Sequence, residues 1–528
     1  MPDTAYSYAY QRPSTLREAD GRLGLETSGG RALATPSTNP RFFTGFLTHP
    51  GVAAAGLLAV ARVARERYVL TSQLRGALGS IDPVVTCNGD RLRFESFSGC
   101  CGVYARLDVL SEALDGEVHD RGTTNVDVNE PLRRALARIA GDDPLHLAVG
   151  PDELAVTTVD GRAVEKKVPL PPRWLRGFAE AQVIMSACDL RAELDAVEAG
   201  RFLRSLPAGS AVGTAAGDGT RVVTGHGRGP QWAVVSGRGL RLTSVPAPGA
   251  VCLAGAHRLG PLAPLLRHVR RLRAYGPAVT SRSEPCSSAW EVELPGMRLV
   301  LALSPAANRG FSGEGSVLDS LSGGQGSDAD LIGALLEFEP HVEVDLLAER
   351  SGLPPERVRE ALVRLGTAGR VGYDLAEAAY FHRELPYDAT LAERDNPRLR
   401  DARALVAAGA VALDGDAATV TVTDHVQRVR LGADGQAWCT CDWWARHRGT
   451  RGPCKHVLAA RLARDAEGPG AGVGATPATA VEASQAAGAG ATPATAVEAS
   501  QPAEGGAVTA TAVETGSAAG SVSGAGRR

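Results

Sequence analysis

Four residues near the C-terminal end of the chain could bind one metal ion together. Cys439 and Cys441 are separated by one residue, and after twelve further residues Cys454 and His456 repeat that spacing. Three thiolate sulfurs and one imidazole nitrogen form a donor set that Zn²⁺ binds tetrahedrally in structural sites. Because four protein ligands leave no position for a reacting water, the pattern predicts a structural zinc ion rather than a catalytic one.

The sequence around these residues predicts the elements that hold them. Residues 426–431, VQRVRL, have the apolar and β-branched character of a strand leading toward the first cysteine pair. Alternate residues of an extended strand face the same side, so both cysteines of that pair could reach one ion. The second pair follows Gly452-Pro453 and opens a run of helix formers, VLAARLAR. A helix N-terminus favours the thiolate form of a cysteine there.

Other interpretations of these cysteines and histidines stay open at this stage. The three thiols could be buried side chains, or one pair could form a disulfide. His447 could replace His456 as the nitrogen ligand, although it has no partner at ligand spacing. Cys87 with the adjacent Cys100 and Cys101 could form a second metal site, but no histidine or further cysteine lies at ligand spacing from them.

The pattern Cys-x-Cys, the pair Trp443-Trp444, and then CKHVLA from Cys454 resembles the SWIM zinc finger. A hairpin at 420–431 ahead of the cysteines fits the strand–strand–zinc–helix layout of that family. The resemblance covers residues 404–464 and implies a small ββα module with one bound zinc that contacts DNA or other proteins. The long region ahead of the finger resembles the layout of bacterial SWIM zinc finger family proteins.

The finger region is strongly basic. Between 425 and 464, eight Lys or Arg residues stand against two Asp residues, which gives a net charge of +6. Three tryptophans, Trp438, Trp443 and Trp444, lie among these cations, and this combination suits single-stranded nucleic acid through stacking and phosphate contact. Tryptophans could also form the small core that a zinc module needs, and we expect this for Trp444. The predicted nucleic-acid or partner contacts are Arg446, Arg448, Arg451 and Lys455.

Composition limits what the whole chain can be. Its 528 residues allow about three domains, and a hydrophobic content of 44% is enough for real cores. The net charge of −3 argues against a general polycation. The N-terminus lacks a secretion pattern, no apolar run is long enough to span a membrane, and nine cysteines are too few for a disulfide framework. We therefore expect a cytoplasmic protein.

The fold class predicted along the chain is multidomain α+β. We expect a flexible arm at 1–40, followed by an α+β region at 41–304 that we interpret as a duplicated unit. A Gly/Ser-rich linker at 305–328 then leads to a winged-helix-like module at 329–386 and to the finger at 404–464. The tail at 466–528 has low complexity, with residues 475–485 repeated at 491–501, and we expect it to be disordered. A helix is predicted at 262–275, and we interpret its five Arg and His residues as a solvated face rather than a nucleic-acid stripe.

The winged-helix-like module is predicted from the order helix, helix ending at Gly352, helix and hairpin. Residues 328–373 hold nine acidic and five basic residues, a net of −4, so phosphate would be repelled and protein contact is at least as good an expectation.

No phosphate-binding glycine loop, catalytic triad order or open metal site is present in the sequence, so we expect no enzyme activity. The leading hypothesis is a zinc-binding protein whose finger contacts nucleic acid while other regions contact protein partners. A protein–protein adaptor without nucleic-acid contact is the main alternative, and an enzyme with its active site in 84–304 is the third. The oligomeric state does not follow from the sequence.

Overall fold

The computed structural model describes residues 15–17, 22–24, 41–68 and 83–467, apart from short gaps at 127, 169, 208, 215–220, 226–228, 238, 307–309, 312–314, 316, 319–325, 386–395, 424 and 433–435. Most of the arm predicted at 1–40 lies outside these residues, and so does the predicted tail from residue 468 onward. Within the arm, strands β1 (Thr15–Arg17) and β2 (Arg22–Gly24) pair antiparallel.

The region 41–304 is α+β, as predicted. In chain order its strands are β3 (Phe43–Leu47), β4 (Glu66–Arg67), β5 (Val84–Cys87), β6 (Leu92–Phe97), β7 (Val103–Val109), β8 (Leu114–Val118), β9 (Gly122–Asn125), β10 (His146–Val149), β11 (Glu153–Thr158), β12 (Gly161–Lys166), β13 (Asp189–Asp195), β14 (Gly209–Thr214), β15 (Arg221–Gly225), β16 (Gln231–Ser236), β17 (Gly239–Thr243), β18 (Val251–Leu253), β19 (Arg271–Gly276), β20 (Ser288–Leu294) and β21 (Met297–Leu303). Its helices are α1 (Pro50–Arg65), α2 (Glu130–Arg138), α3 (Pro172–Ser186), α4 (Ala196–Ser205) and the 3-10 helices Ser111–Ala113 and Ala256–Leu265.

The largest sheet has eight strands in the order β13-β19-β20-β21-β7-β6-β5-β9, all antiparallel. Each half contains a three-stranded meander that follows a helix: α1 precedes β5-β6-β7, and the 3-10 helix Ala256–Leu265 precedes β19-β20-β21. The halves meet where β7 pairs with β21. The duplicated unit interpreted from the sequence involves other elements in its first copy, namely α2 with β10, β11 and β12, which lie in a different sheet, and that duplication stays a prediction.

Three smaller sheets complete this region: β12-β11-β10-β3-β8, β14-β15-β4 and β17-β16-β18. Local sequence signals explain several boundaries. Asn129 begins α2 because its side-chain oxygen accepts a hydrogen bond from the backbone N–H of Leu132 at 3.2 Å. Gly89 allows the tight turn between β5 and β6, since its φ of 96° is open mainly to glycine. The apolar face of α1 packs on β6 and β7 and fills the main core.

The helix predicted at 262–275 is wrong. The 3-10 helix ends at Leu265, and β19 begins at Arg271. Two prolines inside the helical segment, Pro261 and Pro264, lack the N–H that a regular α-helix would use. Arg273 lies on β19, where its guanidinium forms ion pairs with carboxylates of the neighbouring strands. These ion pairs stabilise the sheet.

The next module has the predicted winged-helix-like order. Its elements are α5 (Gly326–Leu335), α6 (Val344–Ser351), α7 (Pro355–Thr367), β22 (Val371–Asp374) and β23 (Ala379–His382). Gly352 ends α6 in the left-handed conformation with φ of 70°. Residues such as Ile332, Leu347, Leu362 and Leu365 form a core of its own.

The β22-β23 hairpin of this module is not free, because it is inserted against the eight-stranded sheet. Asp374 on β22 is fully buried and lies 3.2 Å from Arg93, 3.1 Å from Arg106 and 3.0 Å from Arg298. Burial opposes ionisation of Asp374, but the guanidinium groups of Arg106, Arg298 and Arg93 hold its pKa well below the usual range. Arg93 also stacks over the ring of Phe381 at 4.0 Å.

Three apolar side chains in the described part of the predicted linker at 305–328 are buried. Phe311 and Leu318 are fully buried, and Val317 is nearly so. Leu318 packs with residues of α3 and of the helices in the finger region. Although the segment is rich in Gly and Ser, it also contains these three apolar residues, whose burial stabilises the position of the chain around them.

The finger region forms the last described part. Helix α8 (Pro397–Ala407) precedes strands β24 (Val411–Asp414), β25 (Ala417–Val422), β26 (His425–Leu431) and β27 (Ala437–Cys439), and these are followed by α9 (Asp442–His447) and α10 (Lys455–Glu467). The four strands form one antiparallel sheet in sequence order. Helix α8 spans the predicted boundary at 404. Within the described ranges, every helix is too short or too polar to cross a bilayer.

Candidate metal centre

Three separate elements bring the four predicted ligands together. Cys439 is the last residue of β27 and pairs across the sheet with Val429 of β26. Cys441 is the N-cap of α9, and Cys454 and His456 flank the first residue of α10. The spacing of one residue within each pair therefore places two ligands at a strand end and two at a helix start.

The separations between these side chains fit a tetrahedral zinc site. Nδ1 of His456 lies 3.8 Å from Sγ of Cys439 and 4.0 Å from Sγ of Cys454. All four ligand atoms lie within 4.8 Å of one another. Zinc bond lengths of about 2.3 Å to sulfur and 2.0 Å to nitrogen give edges of about 3.6–3.8 Å for a tetrahedron. A small contraction around the ion would therefore complete the coordination shell.

The ligand cluster is buried and receives hydrogen bonds from the backbone. All four side chains are buried, with no more than 7% of any of them exposed. The backbone N–H groups of Trp444 and Val457 each donate to a cysteine sulfur, Cys441 and Cys454 respectively, at 3.5 Å. Hydrogen bonds among the thiols lower the pKa of Cys441 and raise the pKa of Cys439, so the cluster by itself favours one thiolate, at Cys441. Backbone donors of this kind offset the net negative charge that three thiolates leave on a zinc site.

The rival ligand sets do not assemble. His447 lies with its ring 4.5 Å from that of Trp443, and its Nε2 is 3.5 Å from a nitrogen of Arg451. Cys87 and Cys100 are buried in the main core of the N-terminal region. Across the part of the chain that the structure describes, the Cys439 cluster is the one place where three or more His, Cys, Asp or Glu side chains converge to metal-binding distance.

The predicted contact residues divide into two kinds. Arg446 and Arg448 are exposed, on α9 and just after it, and Arg448 ends that helix with a φ of 43°. Lys455 is half-buried at the start of α10. Arg451 is also half-buried, and its guanidinium lies over the ring of Trp443 at 4.8 Å. Arg451 therefore helps to hold the finger together, whereas Arg446 and Arg448 face solvent.

The structure separates the three tryptophans of the finger. Trp443 and Trp444 are half-buried and pack against the cluster of buried residues that includes the cysteines. Trp443 is held between two guanidinium groups, because Arg398 lies on its ring at 4.6 Å in addition to Arg451. Trp438 on β27 differs, since 51% of it is exposed. Of the three, Trp438 alone presents its ring to solvent.

Arg398 is a site residue that the sequence did not reveal. It lies on α8, and its guanidinium donates to the backbone carbonyls of Arg451 at 2.7 Å and Pro453 at 3.1 Å, directly before the second ligand pair. No spacing rule links it to the cysteines, which begin 41 residues later. Arg428 and Arg430 of β26 also face outward, and the sequence indicates them only through the net charge of the finger.

Comparison with known proteins identifies the finger. Residues 420–465 match the sequence model of the SWIM zinc finger family. No curated protein matches the chain. Among solved structures, the proliferating cellular nuclear antigen of Entamoeba histolytica aligns over 50% of this chain and 98% of its own, with 9% identity and a TM-score of 0.30.

The PCNA2–PCNA3 complex of Sulfolobus tokodaii aligns over 50% of this chain and 99% of its own, with 9% identity and a TM-score of 0.31. TM-scores this low support no conclusion about the fold or the function of this chain. The family match and the converging ligands do agree with each other: residues 420–465 form a SWIM zinc finger with a ligand set for one zinc ion.

Proposed function

We propose that this protein binds nucleic acid through its SWIM finger and is not an enzyme. The observation that carries the proposal is the excess of positive charge on the finger, eight basic against two acidic residues between 425 and 464, with Arg446 and Arg448 exposed to solvent. Phosphate contacts by Lys and Arg supply most of the affinity in non-specific nucleic-acid binding. The rest of the chain acts as the scaffold that presents this surface.

The winged-helix-like module is a poorer candidate for that contact. Its net charge is −4 over residues 328–373, so its surface would repel phosphate. The β22-β23 hairpin, which a free winged helix could lay along DNA, is held on the eight-stranded sheet by Asp374 and its arginine partners. Helix α7 packs on α3, where Gln182 donates to the carbonyl of Val363. These contacts favour a structural role for the module.

Zinc has a structural role in this proposal. Cys439, Cys441, Cys454 and His456 would hold the ion and join β27, α9 and α10, which are too short to fold separately. Four protein ligands fill a tetrahedral shell, and this supports binding rather than catalysis at the metal. A site made of three thiolates needs a reducing compartment, so we place the protein in the cytoplasm.

The test uses the full-length, zinc-loaded protein and fluorescently labelled DNA and RNA oligonucleotides, both single-stranded and duplex. We expect binding at low salt whose affinity falls as salt rises, with a slope of about −0.7 per phosphate contacted for single strands. The double variant Arg446→Ala and Arg448→Ala should weaken binding and reduce the slope. The matched control removes two exposed arginines elsewhere, Arg241 and Arg282, and should bind like the unaltered protein.

A protein–protein adaptor is the second candidate, and a specific feature favours it. The acidic winged-helix-like module exposes two leucines, Leu331 at 42% and Leu346 at 49%. Exposed apolar side chains among acidic residues suit a partner protein with a basic surface. Absence of any nucleic-acid binding at low salt would refute the first proposal and support the adaptor.

A further inference from the structure

The outer face of the finger sheet carries an unusual set of exposed side chains. Alternate residues of β26, Val426, Arg428 and Arg430, point away from the core, and Trp438 lies opposite Arg430 on β27. Trp438 is 51% exposed and Val426 57%. We call these four residues the Trp438 face. The three positions on β26 span about 13 Å along the strand.

The zinc site fixes which way this face points. Val429, Leu431 and Cys439 alternate with the exposed residues on the same two strands and are buried in the finger core. Because side chains alternate along a strand, a cysteine that turns inward to the metal turns the preceding tryptophan outward. The exposure of Trp438 is therefore a consequence of metal ligation by its neighbour.

The two arginines of the face are open to anionic groups of a ligand. Arg428 and Arg430 are exposed, and neither guanidinium has an ion-pair partner among the described residues. By contrast, Arg271 and Arg273 of β19 each form ion pairs with carboxylates of adjacent strands. An exposed indole beside two exposed cations has the chemistry of a site for a flat, anionic ligand.

We infer that the Trp438 face binds single-stranded nucleic acid, with one base stacked on Trp438 and backbone phosphates on Arg428 and Arg430. This inference rests on the proposed function and assigns it to one surface. An unpaired base offers its ring face to the indole, whereas the base faces of a duplex are covered by their neighbours. The face therefore prefers single strands, and the stacking contact tolerates different bases.

The closing experiment measures binding of the full-length, zinc-loaded protein to labelled 15-residue oligothymidylate and to a hairpin duplex. Trp438→Ala should weaken binding to the single strand about tenfold, as loss of one stacked base does, and leave the salt slope and duplex binding unchanged. Trp438→Phe should retain most of the affinity because it keeps a stacking ring. The double variant Arg428→Ala and Arg430→Ala should reduce the salt slope by about 1.4.

The outcomes separate this inference from the proposed function. If the unaltered protein binds and Trp438→Ala binds equally well, while the Arg446 and Arg448 double variant loses binding, the Trp438 face is not the site and the proposed function stands. If the unaltered protein binds neither oligonucleotide at low salt, both fail. Zinc content measured on every variant must equal one ion per chain, so that a loss of binding reports the surface rather than unfolding.

Discussion

Replacing Cys441 by Ser tests the metal centre with little other disturbance. Cys441 has two roles in the structure: it is a predicted zinc ligand, and it caps α9 by accepting the N–H of Trp444. Serine is among the best N-cap residues, so the hydroxyl can keep the cap. A neutral hydroxyl is a poor zinc ligand, however. The substitution therefore removes one metal bond without also removing the helix cap.

The size of the effect follows from the ligand count. Zinc contributes roughly 10–16 kcal/mol to the folding of a small zinc module, and an even share for one of four ligands is about 2.5–4 kcal/mol. The affinity for zinc should therefore fall about a hundred- to a thousand-fold. Strands β26 and β27 and helix α9 should then unfold. Leu458 and Ala459 on α10 pack with Leu318 and α8, so the end of the region stays partly anchored.

Zinc stoichiometry after dialysis and limited proteolysis together make the assay. We expect clearly less than one zinc per chain and new cleavage between 425 and 454, with the region 41–304 still resistant. Cys286→Ser, a half-buried cysteine outside the cluster, is the matched control and should keep one zinc. A Cys441→Ser protein that retains one zinc per chain and the protease resistance of the unaltered protein would show that the ligand set is wrong.

Three further predictions concern the contacts that hold the modules. Asp374→Ala removes one of the two buried carboxylates that face Arg93, Arg106 and Arg298 and leaves them only Asp108 within the buried network. The hairpin contact should lose about 3 kcal/mol, seen as faster hydrogen exchange in β22 and β23, whereas Asp345→Ala on the exposed surface should not have this effect. Since the pKa of Asp374 is lowered in the fold, its stabilisation is complete above the unfolded pKa of about 3.9 and is lost as the pH falls below that value; an acid titration of the hairpin that shows loss near neutral pH would contradict this. Arg398→Ala leaves the carbonyls of Arg451 and Pro453 without this donor and uncovers one face of Trp443, so the thermal stability of the finger should fall by about 1–3 kcal/mol at unchanged zinc stoichiometry; an unchanged melting temperature would contradict that role.

Local signals in the sequence predicted local structure well. Helix α6 ends at Gly352, as predicted, because glycine adopts the left-handed conformation readily. The turn at Asn88-Gly89 and the Asn129 cap are set by local preferences of the same kind. The metal ligands are also predictable from local sequence, because two residues separated by one position at a strand end or a helix start are necessarily close in space. The prediction of a helix at 262–275 is wrong because Pro261 and Pro264 disfavour a regular α-helix in a segment that is otherwise rich in helix-forming residues.

Contacts between distant segments left no comparable signal. Asp374 lies far along the chain from Arg93 and Arg106, and nothing in either segment indicates that they meet in one buried network. Val317 and Leu318, in the segment predicted as a linker, likewise give no indication in the sequence of their partners on α3 and α10. The burial of a side chain by a distant segment depends on which surfaces pack together in the fold, and local composition does not indicate which surfaces these are.

The sequence by itself determined the identity of the metal module, its donor atoms and its positive charge, because ligand chemistry and spacing are properties of a short stretch. Only the tertiary structure decided what each aromatic and cationic side chain does there. Trp443 is enclosed by Arg398 and Arg451, while Trp438 faces solvent beside Arg430. The physical reason is that packing between elements sets the exposure of each side chain. Residues of the same type can therefore be buried in the core at one position of the finger and lie on a binding surface at another.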